Sequence, residues 1–170
     1  MNRRALLIGG AALALAPRAT IARAAGPLDY LVELEALQVA VYDLATQLPL
    51  TGQPAALAGR YRNHENEHLQ RVSQALHVQP PAIAPPKFTD ESGFLAFAQR
   101  VEGLAVSAYN GAIPTIGDHG LRAELAAIVQ TEARHSAAIR ALRATSPSPR
   151  GFEPGAAAAP VQRALAALQG

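Results

Sequence analysis

The most constraining feature of this chain is an internal repeat of acidic, tyrosine and histidine residues with a period of 67 positions, as from Glu35 to Glu102. In the first half, Glu35 is followed by Tyr42 and then by a Glu-x-x-His motif. The second half repeats this order and this spacing. The eight repeat residues are Glu35, Tyr42, Glu65, His68, Glu102, Tyr109, Glu132 and His135. The chain therefore contains two copies of one half-site.

Apolar residues at steps of three and four positions predict four helices. Their expected ranges are 28–47, 54–77, 90–116 and 119–144. The clearest apolar stripe lies on the fourth range, where Glu132 and His135 fall between Ile128 and Ile139. The repeat residues of the other three ranges lie on comparable stripes. We therefore expect an all-α fold, a four-helix bundle whose interior contains the repeat residues.

The connections between the helices predict their arrangement. Short links join the first helix to the second and the third to the fourth, so each pair is expected to be antiparallel. The link between the second and third helices is the segment 78–87, which contains four prolines. In extended polyproline form this segment reaches about 31 Å, close to the length of a helix of about twenty residues. A long crossover along the bundle is expected there.

The spacing within each half predicts that the repeat glutamates lie at one level of the bundle. The midpoint of Glu35 and Glu65 falls in the first predicted turn, and residues equidistant from the turn of a hairpin lie at equal height. The midpoint of Glu102 and Glu132 falls in the other turn. Each histidine follows a Glu by three positions and shares its helix face. Such a set of ligands is typical of dinuclear iron or manganese sites in four-helix bundles.

The charge of this cluster supports a metal site. No Lys or Arg lies on the four stripes, and burial of an unpaired charge costs several kcal/mol. Two divalent ions would neutralise the carboxylates, and oxygen and imidazole ligands without sulfur favour iron or manganese. The expected metal ligands are Glu35, Glu65, His68, Glu102, Glu132 and His135. The alternative is a degenerate bundle that binds no metal and keeps its carboxylates protonated or hydrogen-bonded.

Tyr42 and Tyr109 are candidate catalytic residues because each lies two helical turns beyond a ligand Glu and returns to its face. They are interpreted either as redox-active phenols or as hydrogen-bond partners of the ligand carboxylates. A third reading makes them core residues with a satisfied hydroxyl. The remaining acids and histidines, His64 among them, fall off the central stripes, and we expect them on the solvated face or at helix ends.

The first 24 residues predict an export signal. Arg3 and Arg4 precede a short apolar run, and the segment ends in Ala22-Arg23-Ala24, the small-residue spacing of a cleavage site. This pattern is typical of twin-arginine export and predicts a periplasmic protein. The run is too short to span a bilayer, so no stable membrane span is expected after cleavage. The alternative is an uncleaved anchor.

Removal of this signal changes the charge and the composition of the chain. The signal contains four of the fifteen basic residues and none of the thirteen acids, so the net charge falls from +2 to near −2. Nucleic acid is therefore not an expected partner. The absence of cysteine excludes disulfides and thiolate metal sites. We expect the bundle at residues 25–144 and, at residues 145–170, a flexible tail or a short docking helix.

Three segments resemble the exported ferritin-like domain proteins, which are relatives of the desiccation-related proteins. They are residues 64–69, Glu102 with residues 108–114, and residues 132–135. The resemblance covers residues 28–144 and implies a ferritin-like bundle with the six ligands named above. It leaves two functions open. One is a di-metal oxidoreductase that acts on O2 or hydrogen peroxide. The other is a non-catalytic role in metal binding or stress protection in the cell envelope.

Overall fold

A computed structural model describes residues 26–84 and 86–170, and the secondary structure of these residues is helical. The five α-helices are α1 (Asp29–Ala45), α2 (Gly52–Leu76), α3 (Glu91–Ala112), α4 (His119–Leu142) and α5 (Ala158–Gln169). The all-α bundle predicted from the sequence is confirmed. Within the described part of the chain, every helix is too short or too polar to cross a membrane. The predicted export signal at residues 1–24 lies outside the described residues.

Side-chain caps set the starts of α3 and α4. The carboxylate of Asp90 accepts a hydrogen bond from the backbone N–H of Gly93 at 2.7 Å. Asp118 does the same for Leu121 at the start of α4, also at 2.7 Å. Each cap satisfies a backbone donor that has no partner within its helix. Both helix starts therefore lie within a residue of the predicted positions.

The third helix ends earlier than the predicted range of 90–116. α3 stops at Ala112, and the chain continues as the 3-10 turn Ile113–Thr115. Pro114 explains this end, because proline has no N–H to donate to the carbonyl four residues earlier and its ring opposes a continued α-helix. The side chain of Ile116 still packs into the core after the turn.

The four long helices form two hairpins that pack face to face. α1 packs along α2 and α3 along α4, while the hairpins meet mainly through α1 and α3 and far less extensively through α2 and α4. Burial of a large apolar side chain stabilises the fold by about 1.5–3 kcal/mol. Fully buried members of this core include Leu31, Leu34, Leu37, Phe94, Leu125 and Ile139.

The direction of the helices follows from two hydrogen bonds between the hairpins. Tyr42 donates to Glu102, and Tyr109 donates to Glu35. Both bonds form together only if α1 and α3 are antiparallel, because in parallel helices one pair would be about 21 Å out of register. Since α2 is antiparallel to α1, it is parallel to α3. The link between α2 and α3 must therefore run along the bundle, as the Pro-rich segment predicted.

The segment after α4 returns to the bundle and packs on α3 and α1. The N–H of Ala156 donates to the carbonyl of Ser107 on α3 at 2.8 Å. Gly111 permits this approach, because a Cβ at that position would collide with the Ala156 carbonyl. Val161 and Leu165 of α5 are fully buried in the core. The sequence allowed either a flexible tail or a short docking helix here, and the structure has the docked helix.

Candidate metal centre

The six residues predicted as metal ligands lie together in the interior of the bundle. Each of α1 to α4 contributes one glutamate at 0% exposure, and α2 and α4 each add a histidine one turn later. The acids are Glu35, Glu65, Glu102 and Glu132. His135 is 1% exposed and His68 is 7% exposed, so His68 is the most accessible of the six.

The side chains form two overlapping groups, and within each group one potential ligand atom per residue lies within 4.8 Å of the others. The first group is Glu35, Glu65, His68 and Glu132, and the second is Glu65, Glu102, Glu132 and His135. Glu65 and Glu132 belong to both groups. A carboxylate has two oxygens, so a shared glutamate can offer one oxygen to each group, as in carboxylate-bridged centres.

Several atoms of this cluster converge without hydrogen-bond partners. They are Oε2 of Glu35, Oε1 of Glu65, Oε1 of Glu132 and Nδ1 of His135. Nδ1 of His135 lies 2.8 Å from Oε1 of Glu65, yet neither atom takes part in a hydrogen bond. Buried polar atoms normally have partners, and atoms that converge in this way suit the ligands of a cation. The residues present therefore fit metal ions.

Burial and mutual repulsion raise the pKa of three of the four glutamates. Burial raises the pKa of Glu65 to about 8, and the charge of Glu132 adds to the rise. The pKa values of Glu35 and Glu102 lie well above the ordinary 4.5 for the same two reasons. Burial also acts to raise the pKa of Glu132, but its contacts with His68 outweigh burial and lower it.

His68 compensates part of this negative charge. Burial alone would lower its pKa, but its contacts with Glu132 and Glu65 outweigh burial and raise the pKa to about 11. Nδ1 of His68 lies 2.8 Å from Glu132 and 3.2 Å from Glu65. Metal ions bound here would compete with protons for the same atoms, so metal binding would release protons from this cluster.

Tyr42 and Tyr109 connect the two halves of the repeat. The hydroxyl of Tyr42 donates to Glu102, and that of Tyr109 donates to Glu35. Burial and the charge of the adjacent glutamate raise both tyrosine pKa values well above 10. The phenols are therefore neutral donors that hold the carboxylates in position, which is one of the alternatives considered from the sequence. Their redox role stays a prediction.

Gln38 lies on the predicted interior stripe of the first helix, and although it is not one of the predicted ligands it contacts two of them. It is fully buried, and its Nε2 donates to Glu132 at 2.6 Å and to Glu102 at 3.4 Å. The signal was present, because Gln38 lies one turn after Glu35 on the same stripe. An amide on an apolar stripe needs a buried partner, and the nearest acids supply it.

His64, expected on the solvated face or at a helix end, is partly buried and contacts the candidate ligand His135. Its Nδ1 lies 2.9 Å from Nε2 of His135, and the two rings are stacked with centroids 5.2 Å apart. The ring of Tyr61 also stacks on that of His135, with the two ring centroids 3.8 Å apart. His64 reaches the centre because an imidazole is long enough to span the boundary between α2 and α4. The repeat has Thr131 at the equivalent position, so the two half-sites differ there.

Comparison with known proteins places this arrangement in a family. A search of curated proteins gave no match. The family model described as the ferritin-like domain matches residues 24–145, which include all of α1 to α4 and all six candidate ligands. The helical bundle with its central cluster of glutamates and histidines agrees with that match. The chain belongs to the ferritin-like domain family.

Proposed function

We propose that this protein binds two divalent ions, of iron or manganese, and that the loaded centre acts on O2 or hydrogen peroxide. The observation that carries this proposal is the pair of overlapping ligand groups that share Glu65 and Glu132. A shared carboxylate suits two cations, because it has two oxygens. In Glu65, Oε2 faces His68 of one group and Oε1 faces His135 of the other. A donor set of carboxylate oxygens and two imidazole nitrogens favours iron or manganese.

The residues around the centre have separate tasks in this proposal. When bound, such a metal pair supplies redox equivalents and open coordination positions for O2 or peroxide. Glu65 and Glu132 would hold both ions, and the apolar core around them excludes bulk water. Tyr42 and Tyr109 orient the carboxylates that belong to a single group. We also assign to these phenols the transfer of electrons to and from the centre.

The number of bound ions tests the centre. Wild-type protein dialysed against Mn(II) is expected to retain two ions per chain by elemental analysis. Glu35→Gln should lose one ion, because Glu35 belongs to one group, whereas Glu65→Gln should lose both. Glu33→Gln, on the same helix and outside both groups, is the matched control and should retain two. Equal losses in Glu35→Gln and Glu65→Gln would contradict a shared carboxylate.

The reaction is tested on the loaded protein. We expect either oxidation of Fe(II) by O2 or decomposition of hydrogen peroxide over many turnovers. His68→Ala should remove that activity and leave the helical content, measured by circular dichroism, unchanged. A fully loaded protein without turnover in both assays would favour the second candidate, in which metal binding or stress protection in the envelope, as in desiccation-related proteins, is the function itself.

We further propose that the chain reaches the periplasm by twin-arginine export. The support is the pair Arg3 and Arg4 and the cleavage spacing at Ala22-Arg23-Ala24. This route carries folded proteins, so the centre would be loaded before export. Replacement of both arginines by Lys should retain the precursor in the cell. Unchanged periplasmic accumulation of that variant, measured by fractionation, would refute the export route.

A further inference from the structure

A groove of about 640 Å³ opens between α2 and α4, where the two hairpins pack least extensively. Its lining includes His64 and the candidate ligand His68. The four ligand glutamates are 0% exposed, whereas His68 retains 7% of its surface. The groove therefore connects solvent with the buried centre at His68.

Four charged residues surround the groove, two on each helix. They are Glu67 and Arg71 on α2 and Glu124 and Arg134 on α4. Arg71 lies 3.1 Å from Glu67 on its own helix and 3.6 Å from Glu124 across the groove. The single positive charge of Arg71 thus spans the mouth and pairs with two acids that belong to different helices.

The ion pairs of Arg71 are easily broken. Its side chain is 56% exposed, and that of Glu67 is 61% exposed. Exposed ion pairs stabilise a protein by at most about 1 kcal/mol, so a competing cation can replace the arginine. Once Arg71 moves away, the two carboxylates outnumber the remaining arginine of the groove, Arg134. The imidazoles of His64 and His68 line the same groove.

We propose that this groove is the route by which divalent cations enter the centre. Glu67 and Glu124 attract the ion, and Arg71 is the counter-charge that the ion displaces. The inference rests on the proposed dinuclear centre but goes beyond it, because none of these three residues belongs to either ligand group. The rate at which neutral O2 or hydrogen peroxide enters would not depend on these charges. A rate of entry that depends on the charges therefore distinguishes cation entry from other uses of the groove.

The test measures how fast the full-length, metal-depleted protein takes up Co(II), followed by its visible absorption in stopped flow at low ionic strength. The double variant Glu67→Gln, Glu124→Gln should slow uptake by about threefold or more, and Arg71→Gln should accelerate it, since charged clefts raise association rates by at least about tenfold. These differences should shrink in about 1 M salt, where the Debye length is about 3 Å. The final amount of bound Co(II) should be the same in every variant.

The chain offers a matched control on α2. Arg62 pairs with Asp43, the two side chains are 48% and 41% exposed, and neither lines the groove. Arg62→Gln changes the net charge by the same amount as Arg71→Gln, and Asp43→Asn changes it in the same direction as the double glutamate variant, but both controls should leave the rate of uptake unchanged. Equal effects of groove and control variants, or no effect of either, would overturn the entry route and leave the centre intact. A wild-type protein that binds no Co(II) would overturn both proposals.

Discussion

Replacement of Glu35 by Gln is expected to stabilise the metal-depleted protein near neutral pH. Glu35 is fully buried, and burial together with the charges of Glu132 and Glu65 raises its pKa well above 4.5. In the fold its carboxyl therefore keeps a proton that the unfolded chain would release. Gln has nearly the shape of a protonated Glu and no proton to release, so it avoids this penalty.

The size of the penalty follows from the unfolded chain. Protonation of a carboxyl with an ordinary pKa of 4.5 costs about 1.4 kcal/mol for each pH unit above that value. The penalty grows as the pH rises above 4.5, and at pH 7 its upper limit, for a carboxyl that stays fully protonated in the fold, is roughly 3 kcal/mol. Below pH 4.5 the carboxyl is protonated in both states, so the penalty disappears there. For a domain of this size, that upper limit corresponds to a gain of about 6–12 °C in the Tm of Glu35→Gln.

Thermal unfolding with chelator present, followed by circular dichroism at pH 4 and pH 7, measures this gain. Glu35→Gln should unfold at a higher temperature than wild type at pH 7 and at nearly the same temperature at pH 4. Glu33→Gln should match wild type at both pH values. With metal in excess the order should reverse, because wild type gains the free energy of ion binding. A lower Tm for Glu35→Gln at pH 7 with chelator, or an equal gain at both pH values, would refute the reasoning.

Three further predictions follow from the contacts of the centre and the tail. His64→Ala should lower the affinity for one of the two ions by about 10- to 100-fold in calorimetric titration. Thr131→Ala, at the equivalent position of the repeat, should leave the affinity unchanged. Equal effects of the two substitutions would exclude a specific role of the histidine pair. Tyr42→Phe and Tyr109→Phe should each lower the free energy of unfolding in urea by about 1–3 kcal/mol, because each leaves a buried carboxyl oxygen without its hydrogen-bond donor; a marked difference between them would contradict the equivalence of the two bonds. Gly111→Ala should detach the tail and expose it to limited proteolysis without changing the metal content, and a protected tail would show that the close backbone approach is not required.

The sequence was sufficient to predict most of the fold and of the candidate ligand set. Apolar periodicity defined four helices to within a few residues, and Asp90 and Asp118 defined the starts of two of them. Proline interrupted the third helix at Pro114, which periodicity alone did not show. Repetition identified the candidate ligands, because acids that recur on buried stripes at a constant period have no explanation on a solvated face.

The sequence patterns did not predict which residues contact each other between the two hairpins. Spacing placed Tyr42 on the same helix face as Glu35 without naming its partner, and in the structure it donates to Glu102 of the opposite hairpin. Likewise, Gln38 bonds to acids on α3 and α4, and His64 touches His135 on α4. These partners depend on the rotation and direction of one helix against another, and spacing along a single helix contains no such information.

The sequence by itself determined which residues meet in the interior, because helical periodicity assigns each side chain to a buried or an exposed face. It also determined their approximate level, because residues equidistant from a turn lie at equal height. Only the tertiary structure decided how the six ligands divide into two groups that share Glu65 and Glu132, and where the groove reaches His68. The physical reason is that sharing and access depend on distances between helices of a few ångströms, which the packing of the whole core sets.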